Sequence, residues 1–209
     1  IALGRIGEGF DEYEARLHHL YADVTLYAIN RPRWTPGDDI AGKHLLVVGE
    51  QGLGDEVLFA NVLSTIAERL GPEGRMSIAV EPRLVPLFER SFPDATVGRH
   101  VTGILKGRHA RQAPFIQNLD EVDLFAPMAS LLREYRRELD AFPARDRFLV
   151  ADPARVAHWR EVLESAGDAP KVGLLWKSAL KRSGRARYFS PFEAWAPVLR
   201  QPGVTFVNL

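Results

Sequence analysis

Residues 43–70 read KHLLVVGEQGLGDEVLFANVLSTIAERL. Residues 45–48 (Leu, Leu, Val, Val) form a short apolar run between polar neighbours, the pattern of a strand covered on both faces in a parallel sheet. GEQGLGDE follows, with Gly49, Gly52 and Gly54 in six positions, so the backbone can turn sharply and approach a neighbour closely. Asp55 stands where a helix N-cap belongs, and Leu58, Val62, Ile66 and Leu70 recur at fourfold spacing behind it. The stretch is therefore expected to be strand, glycine turn and helix. A helix N-terminus reached in this way gathers free N–H groups and the positive end of a dipole, which suits an anion.

The glycine spacing is neither G-x-G-x-x-G nor G-x-x-x-x-G-K-[ST], so no dinucleotide or ATP site follows from it. Two readings stay open: glycines that only close a tight turn, or a turn that cradles a ligand. Asp55 likewise has two candidate roles. It can cap the helix, or it can present a carboxylate at the C-terminal end of a strand, where ligands of open α/β sheets bind.

Outside this stretch, composition narrows the classes. The 209 residues are 46% hydrophobic, enough for one or two domains with ordinary cores. Lys plus Arg and Asp plus Glu number 27 each, which removes the general electrostatic case for nucleic acid or an anionic membrane. Cysteine is absent, excluding disulfides, Cys-ligated zinc and a Cys nucleophile and suiting a reducing, cytoplasmic setting. No apolar run approaches the ~20 residues that span a bilayer, and the opening IALGRIGEGFDEYEARL does not resemble a signal peptide. His18 and His19 are adjacent and point apart, and no Asp-x-Asp or His/Asp cluster occurs, so no metal is expected.

In chain order, Phe10, Tyr13, Leu17 and Leu20 predict a helix to about residue 21, with Gly7 and Gly9 marking its start. Residues 31–39, RPRWTPGDD, are a linker anchored by Trp34. Gly71-Pro72 ends the central helix, 76–80 is a second strand, Pro82 opens a helix to 92, and 95–97 is a third strand. Residues 98–118 carry six basic or histidine side chains between 99 and 111 with little periodicity, which predicts a loop with a short strand near Phe115. Another strand is expected at 122–125. From Lys171 a second cycle starts: a strand at 172–176, the basic loop KSALKRSGRARYFS, a helix at 191–200 and a strand to 209. The alternation predicts an α/β chain with helices on both faces of a parallel Rossmann-like sheet. Residues 1–30 are a helical segment, 40–150 the first domain, 151–170 an interdomain helix, and 171–209 the incomplete start of a second domain.

HLLVVGEQGLGDEVLFANVL resembles the first strand, loop and helix of glycosyltransferases of the heptosyltransferase-like group, in particular bacterial proteins that join such a domain to tetratricopeptide repeats. Those carry a Glu-Gln-Gly-x-Gly-Asp turn, present as Glu50, Gln51, Gly52, Gly54 and Asp55. DLFAPMASLLREY and the passage at 141–167 extend the resemblance over most of the chain. It implies a GT-B fold, with residues 1–30 either the stump of a repeat array or a lone helix packed on the domain. It also implies sugar transfer from a nucleotide-sugar to an acceptor glycan or protein, without a metal or other cofactor. Asp55 is then the general base; Gln51, Gly52 and Gly54 line the substrate, and Lys177, Ser178, Arg187 and Tyr188 face the donor phosphates. The group more often shows Trp-Ala-Gly-Asn where this chain has Trp176-Lys177-Ser178-Ala179. A non-catalytic binding or scaffold module is the rival expectation. Upstream repeats would add a protein partner, nucleic acid is not expected as one, and the 209 residues alone are expected to be inactive.

Overall fold

The computed structural model describes residues 1–21, 24–50, 52–144, 147–176 and 189–208. They fall into two units, Ile1–Ala151 and Asp152–Leu209. The first opens with α1 (Ile6–Tyr13), a 3-10 turn (Glu14–Leu17) and the two-residue strand β1 (Leu26–Tyr27). Strand β2 (His44–Val48) leads into α2 (Leu53–Phe59), a 3-10 turn (Ala60–Val62) and α3 (Leu63–Leu70). Then come β3 (Arg75–Val80), α4 (Val85–Ser91), β4 (Thr96–Arg99), β5 (Val101–Leu105), β6 (Arg108–Gln112), β7 (Leu124–Pro127) and α5 (Leu132–Tyr135).

The central sheet has the order β4-β3-β2-β7, and every neighbouring pair is parallel. Leu45, Leu46, Val47 and Val48 are wholly buried, as a strand covered on both faces requires. Burying each contributes roughly 1.5–3 kcal/mol. Alternate side chains serve opposite faces: Leu45 and Val47 pack with Leu63, Ile66, Ile78 and Phe88, whereas Leu46 and Val48 pack with Ile29, Ala79, Val122 and Phe125. Helices cover only the first face. The second is closed by Tyr27 of β1 and by Phe115, Ile116 and Leu119, a correction to the expectation of helices on both sides.

Three local expectations also change. Gly7 and Gly9 lie inside α1 rather than before it, because the chain packs tightly there: a Cβ on Gly9 would stand 2.3 Å from Ile1, and one on Gly7 3.1 Å from Arg137. The helix ends at Tyr13, and Leu20 is exposed. The helical stretch after β2 is interrupted at Ala60–Val62, where the buried Arg136 donates to the Asn61 carbonyl (2.7 Å) and to Asn61 Oδ1 (2.8 Å). A side chain inserted into the backbone ladder is a common cause of such a break. Leu58 is 61% exposed and Glu56 takes an inward position, so the buried stripe is Phe59, Val62, Ile66 and Leu70. Residues 101–112 are an antiparallel hairpin, not a loop, and β6 pairs in parallel with β1. Phe115 is outside any strand; its ring lies against Gly98, where a Cβ would come within 2.2 Å.

Other signals match their elements. Gly71 caps α3 at φ 69°, Pro82 follows the N-cap Glu81, and Trp34 is 1% exposed with its backbone N–H on the Phe125 carbonyl at 2.7 Å. The N-terminal segment belongs to the first unit: Ile6 and Phe10 enter its core, and Arg137 donates to Asp11 at 2.9 Å.

The second unit begins with α6 (Pro153–Ser165), capped by Asp152, whose Oδ1 accepts from Ala154 N at 2.9 Å. Strands β8 (Lys171–Leu174) and β9 (Thr205–Asn208) pair in parallel, with a 3-10 turn (Phe192–Trp195) and α7 (Ala196–Leu199) between them in sequence. The α/β expectation is met as a parallel four-stranded sheet with helices; no feature of it is specific to GT-B. No helix among the described residues is long and apolar enough to cross a membrane.

Candidate functional site

Strand order reverses between β2 and β7: from β2 the chain steps outward to β3 and β4, then returns to pair β7 on the other side of β2. In parallel sheets the crevice beyond the carboxyl ends of such a strand pair is where ligands bind. Gly49, Glu50, Gly52 and Asp55 follow β2 there, and Met128–Leu131 follows β7.

Protein side chains fill much of this crevice. Glu50 is 1% exposed and accepts from Arg16 twice, Nε on Oε2 and Nη2 on Oε1, each at 2.8 Å, and from Ala129 N at 2.9 Å. Arg16 also donates to the Tyr13 carbonyl and to Glu14, lies over the Tyr13 ring at 4.5 Å, and contacts Ser130 Oγ at 3.2 Å. Ser130 donates to Glu14, which is paired with Arg33. Burial works against the charged Arg16 guanidinium, but Glu50 and Glu14 outweigh it and hold the proton more tightly than usual.

A second cluster stands on the other side of Gly49. Glu56, 1% exposed, receives His100 Nε2 at 2.9 Å and Arg111 Nη1 at 3.2 Å on Oε1, and Glu81 N at 2.8 Å on Oε2. Arg111 also donates to the Gly49 carbonyl. A Cβ on Gly49 would lie 2.5 Å from the Glu56 carboxyl carbon, so glycine is required there. Among the described residues, the nearest atom at Gly52 would be 3.6 Å away and none at Gly54 lies within 4 Å. Only one of the three glycines thus answers to crowding.

Asp55 is the partly exposed carboxylate of the turn. It is the third residue of α2, not the N-cap, which is Gly52; its Oδ2 accepts from Gly52 N at 3.1 Å. Such back-bonding satisfies an otherwise orphaned N–H. Beside it stands Tyr13, its ring 5.9 Å from that of Phe59; burial pushes the phenol up, and Glu50 and Asp55 add to that. Leu58, one helical turn from Asp55, adds an exposed apolar side chain. Tyr27, half-buried with its hydroxyl inside, completes the surroundings; among the described residues that hydroxyl has no hydrogen-bond partner, and burial raises it well above its ordinary value.

The structure therefore brings Gly52, Gly54 and Asp55 to the mouth of the sheet. Gln51, Lys177, Ser178, Arg187 and Tyr188 lie outside the described residues. Sequence reasoning missed both buried groups, Arg16 with Glu50 and Glu56 with His100 and Arg111. One signal was available: Glu56 is a charge three residues before Phe59 on the inward stripe. Among the described residues no group of three His, Cys, Asp or Glu could hold a metal ion.

No family model matches the chain, and no solved structure matches it. Protein FlbA of Caulobacter vibrioides is 52% identical over all 209 residues. The chain spans about a third (35%) of that relative's length. These findings overturn the resemblance to repeat-linked glycosyltransferases of the heptosyltransferase-like group: similarity over the whole chain is to FlbA, with no glycosyltransferase or repeat family behind it. The glycine turn that carried the resemblance is short, and its Gly52 and Gly54 answer to no crowding in this fold.

Proposed function

We propose that this chain is part of an enzyme that transfers a sugar from a nucleotide-sugar donor to an acceptor hydroxyl on a glycan or protein, with Asp55 as general base. One observation carries the proposal. Of the three carboxylates in the turn after β2, Glu50 and Glu56 are buried and bound to arginine, and only Asp55 keeps an exposed face at the strand-order reversal. An acceptor hydroxyl needs a base within hydrogen-bond reach, and a departing diphosphate needs cations. The basic stretch 177–188, with Lys177, Ser178, Arg187 and Tyr188 at its ends, is proposed for the diphosphate, and Gln51, Gly52 and Gly54 for the acceptor side. The arrangement proposed is of GT-B type, in the cytoplasm, without a metal and without nucleic acid as a partner.

The test is a transfer and binding screen of UDP-, GDP-, CMP- and ADP-sugars against the natural full-length protein, followed by Asp55→Asn. Asparagine keeps an oxygen for Gly52 N, so the fold stays intact, while loss of a base lowers turnover ~100-fold or more. Unchanged turnover removes Asp55 from the chemistry.

A non-catalytic binding module is favoured by a different observation: Arg16, Glu50 and Ser130 already occupy the crevice where a small ligand would sit. Absence of binding and transfer across the whole donor panel would remove the transfer reading and leave this one.

A further inference from the structure

Strand β5 is the edge of the three-stranded sheet β1-β6-β5. Its register with β6 closes on Leu105 and Arg108 around the two-residue turn Lys106-Gly107, at φ 51° and 74°. In a two-residue hairpin the pair flanking the turn is hydrogen-bonded and alternate pairs are not. Val101, Gly103 and Leu105 therefore face β6, and Thr102 and Ile104 turn their N–H and C=O groups outward. Among the described residues neither outward group meets another part of the backbone. Thr102 to Leu105 are all exposed, Ile104 by 68%. Val101–Leu105 contains no proline, bulge or charged residue, and the charges that flank it, Arg99 and Lys106, are of one sign.

The hairpin and its flanks carry one sign of charge. Arg99, Lys106 and His109 are exposed, Arg108 is half-buried, and no Asp or Glu occurs between residues 95 and 119. We infer that β5 is a docking edge that accepts an extended, carboxylate-bearing segment of a partner protein as an added strand. Main-chain bonds to Thr102 and Ile104 supply the pairing and the basic tip supplies the selection. A second copy of this chain is the poorer occupant, because it would lay two sets of Arg99, Lys106, Arg108 and His109 along one short ribbon, where like charges repel.

The probe is a fluorescein-labelled Asp-Glu-Val-Thr-Val-Glu-Asp peptide, titrated by anisotropy at low salt, against Lys-Lys-Val-Thr-Val-Lys-Lys. Saturable binding is expected for the acidic peptide, at least tenfold weaker for the basic one and for Lys106→Glu. Thr102→Pro deletes an outward N–H and leaves the ladder to β6 intact; Ile104→Glu leaves every backbone group in place. Both weaken binding at least tenfold with an unchanged unfolding midpoint, and bound peptide slows amide exchange at Thr102 and Ile104. The proposal is overturned by absence of saturable binding, by binding that survives Thr102→Pro, or by a dimer in sedimentation that Thr102→Pro dissolves.

Discussion

Arg16 and Glu50 show how a buried charge is held. Their side chains are 9% and 2% exposed and share two bonds of 2.8 Å. Removing one partner leaves the other ionised and uncompensated, so Arg16→Met should lower unfolding free energy by about 3–5 kcal/mol. Adding Glu50→Gln removes the stranded charge and should recover much of that loss. Urea titration of both variants measures the difference, and a double variant no better than the single one would remove the ion pair from the explanation. Two tyrosines give a pH prediction. Burial pushes Tyr135 up to about 12 with help from Glu134, and burial raises Tyr27 well above its usual value. Both ionise near 10 in an unfolded chain. The folded state thus holds these protons more tightly, so their contribution is intact below about pH 10 and falls as pH rises towards 12. Urea midpoints from pH 8 upward, followed together with tyrosinate absorbance, should decline in that window and not below it.

At the level of elements, glycines separate positions that need space from those that do not. Gly98 in β4 lies under the Phe115 ring, with 2.2 Å to a would-be Cβ, and this contact closes the helix-free face of the sheet. Gly98→Ala should therefore cost about 1–3 kcal/mol through overpacking. Gly54 sits in the first turn of α2 with nothing within 4 Å of a Cβ. Gly54→Ala should instead stabilise the chain by roughly 0.5 kcal/mol, through helix propensity and a less flexible unfolded state. Thermal melts of the two variants moving in opposite directions would bear this out; destabilisation at Gly54 would mean that a constraint other than packing holds that glycine.

For the whole molecule, burial is uneven. Every buried hydrophobic residue among those described lies between Ile6 and Leu132, within the first unit. In the second unit Trp159, Leu175 and Phe192 are each at least half exposed. A chain of residues 1–151 should therefore unfold cooperatively at the urea midpoint that Trp34 reports in the 209-residue chain with Trp159, Trp176 and Trp195 each replaced by Phe. Trp34 is the only tryptophan before residue 159, so its fluorescence follows this unit alone in the shorter chain. A lower midpoint or a broadened transition would show that the second unit contributes to the first unit's stability.

What the sequence by itself determined are the features set by near neighbours. The apolar run at 45–48, the cap at Gly71, Pro82 and the spacing of Val62, Ile66 and Leu70 define strand, turn and helix through local sterics and periodicity, and alternation of these elements leads to a parallel sheet. The carboxylate at the mouth of that sheet was legible for the same reason. Only the tertiary structure decided which charges are buried. Arg16 meets Glu50 across 34 residues and Arg111 meets Glu56 across 55, separations that no local pattern encodes. The hairpin at 101–112 escaped for a related reason: its turn is Lys-Gly rather than the usual Asn-Gly, and its outer strand has no inward face to impose alternation. In one dimension the N-terminal segment reads as a repeat stump or as a helix packed on the domain; in three it is a wall of the site, because Ile6, Phe10 and Arg16 find their partners only once the sheet has formed.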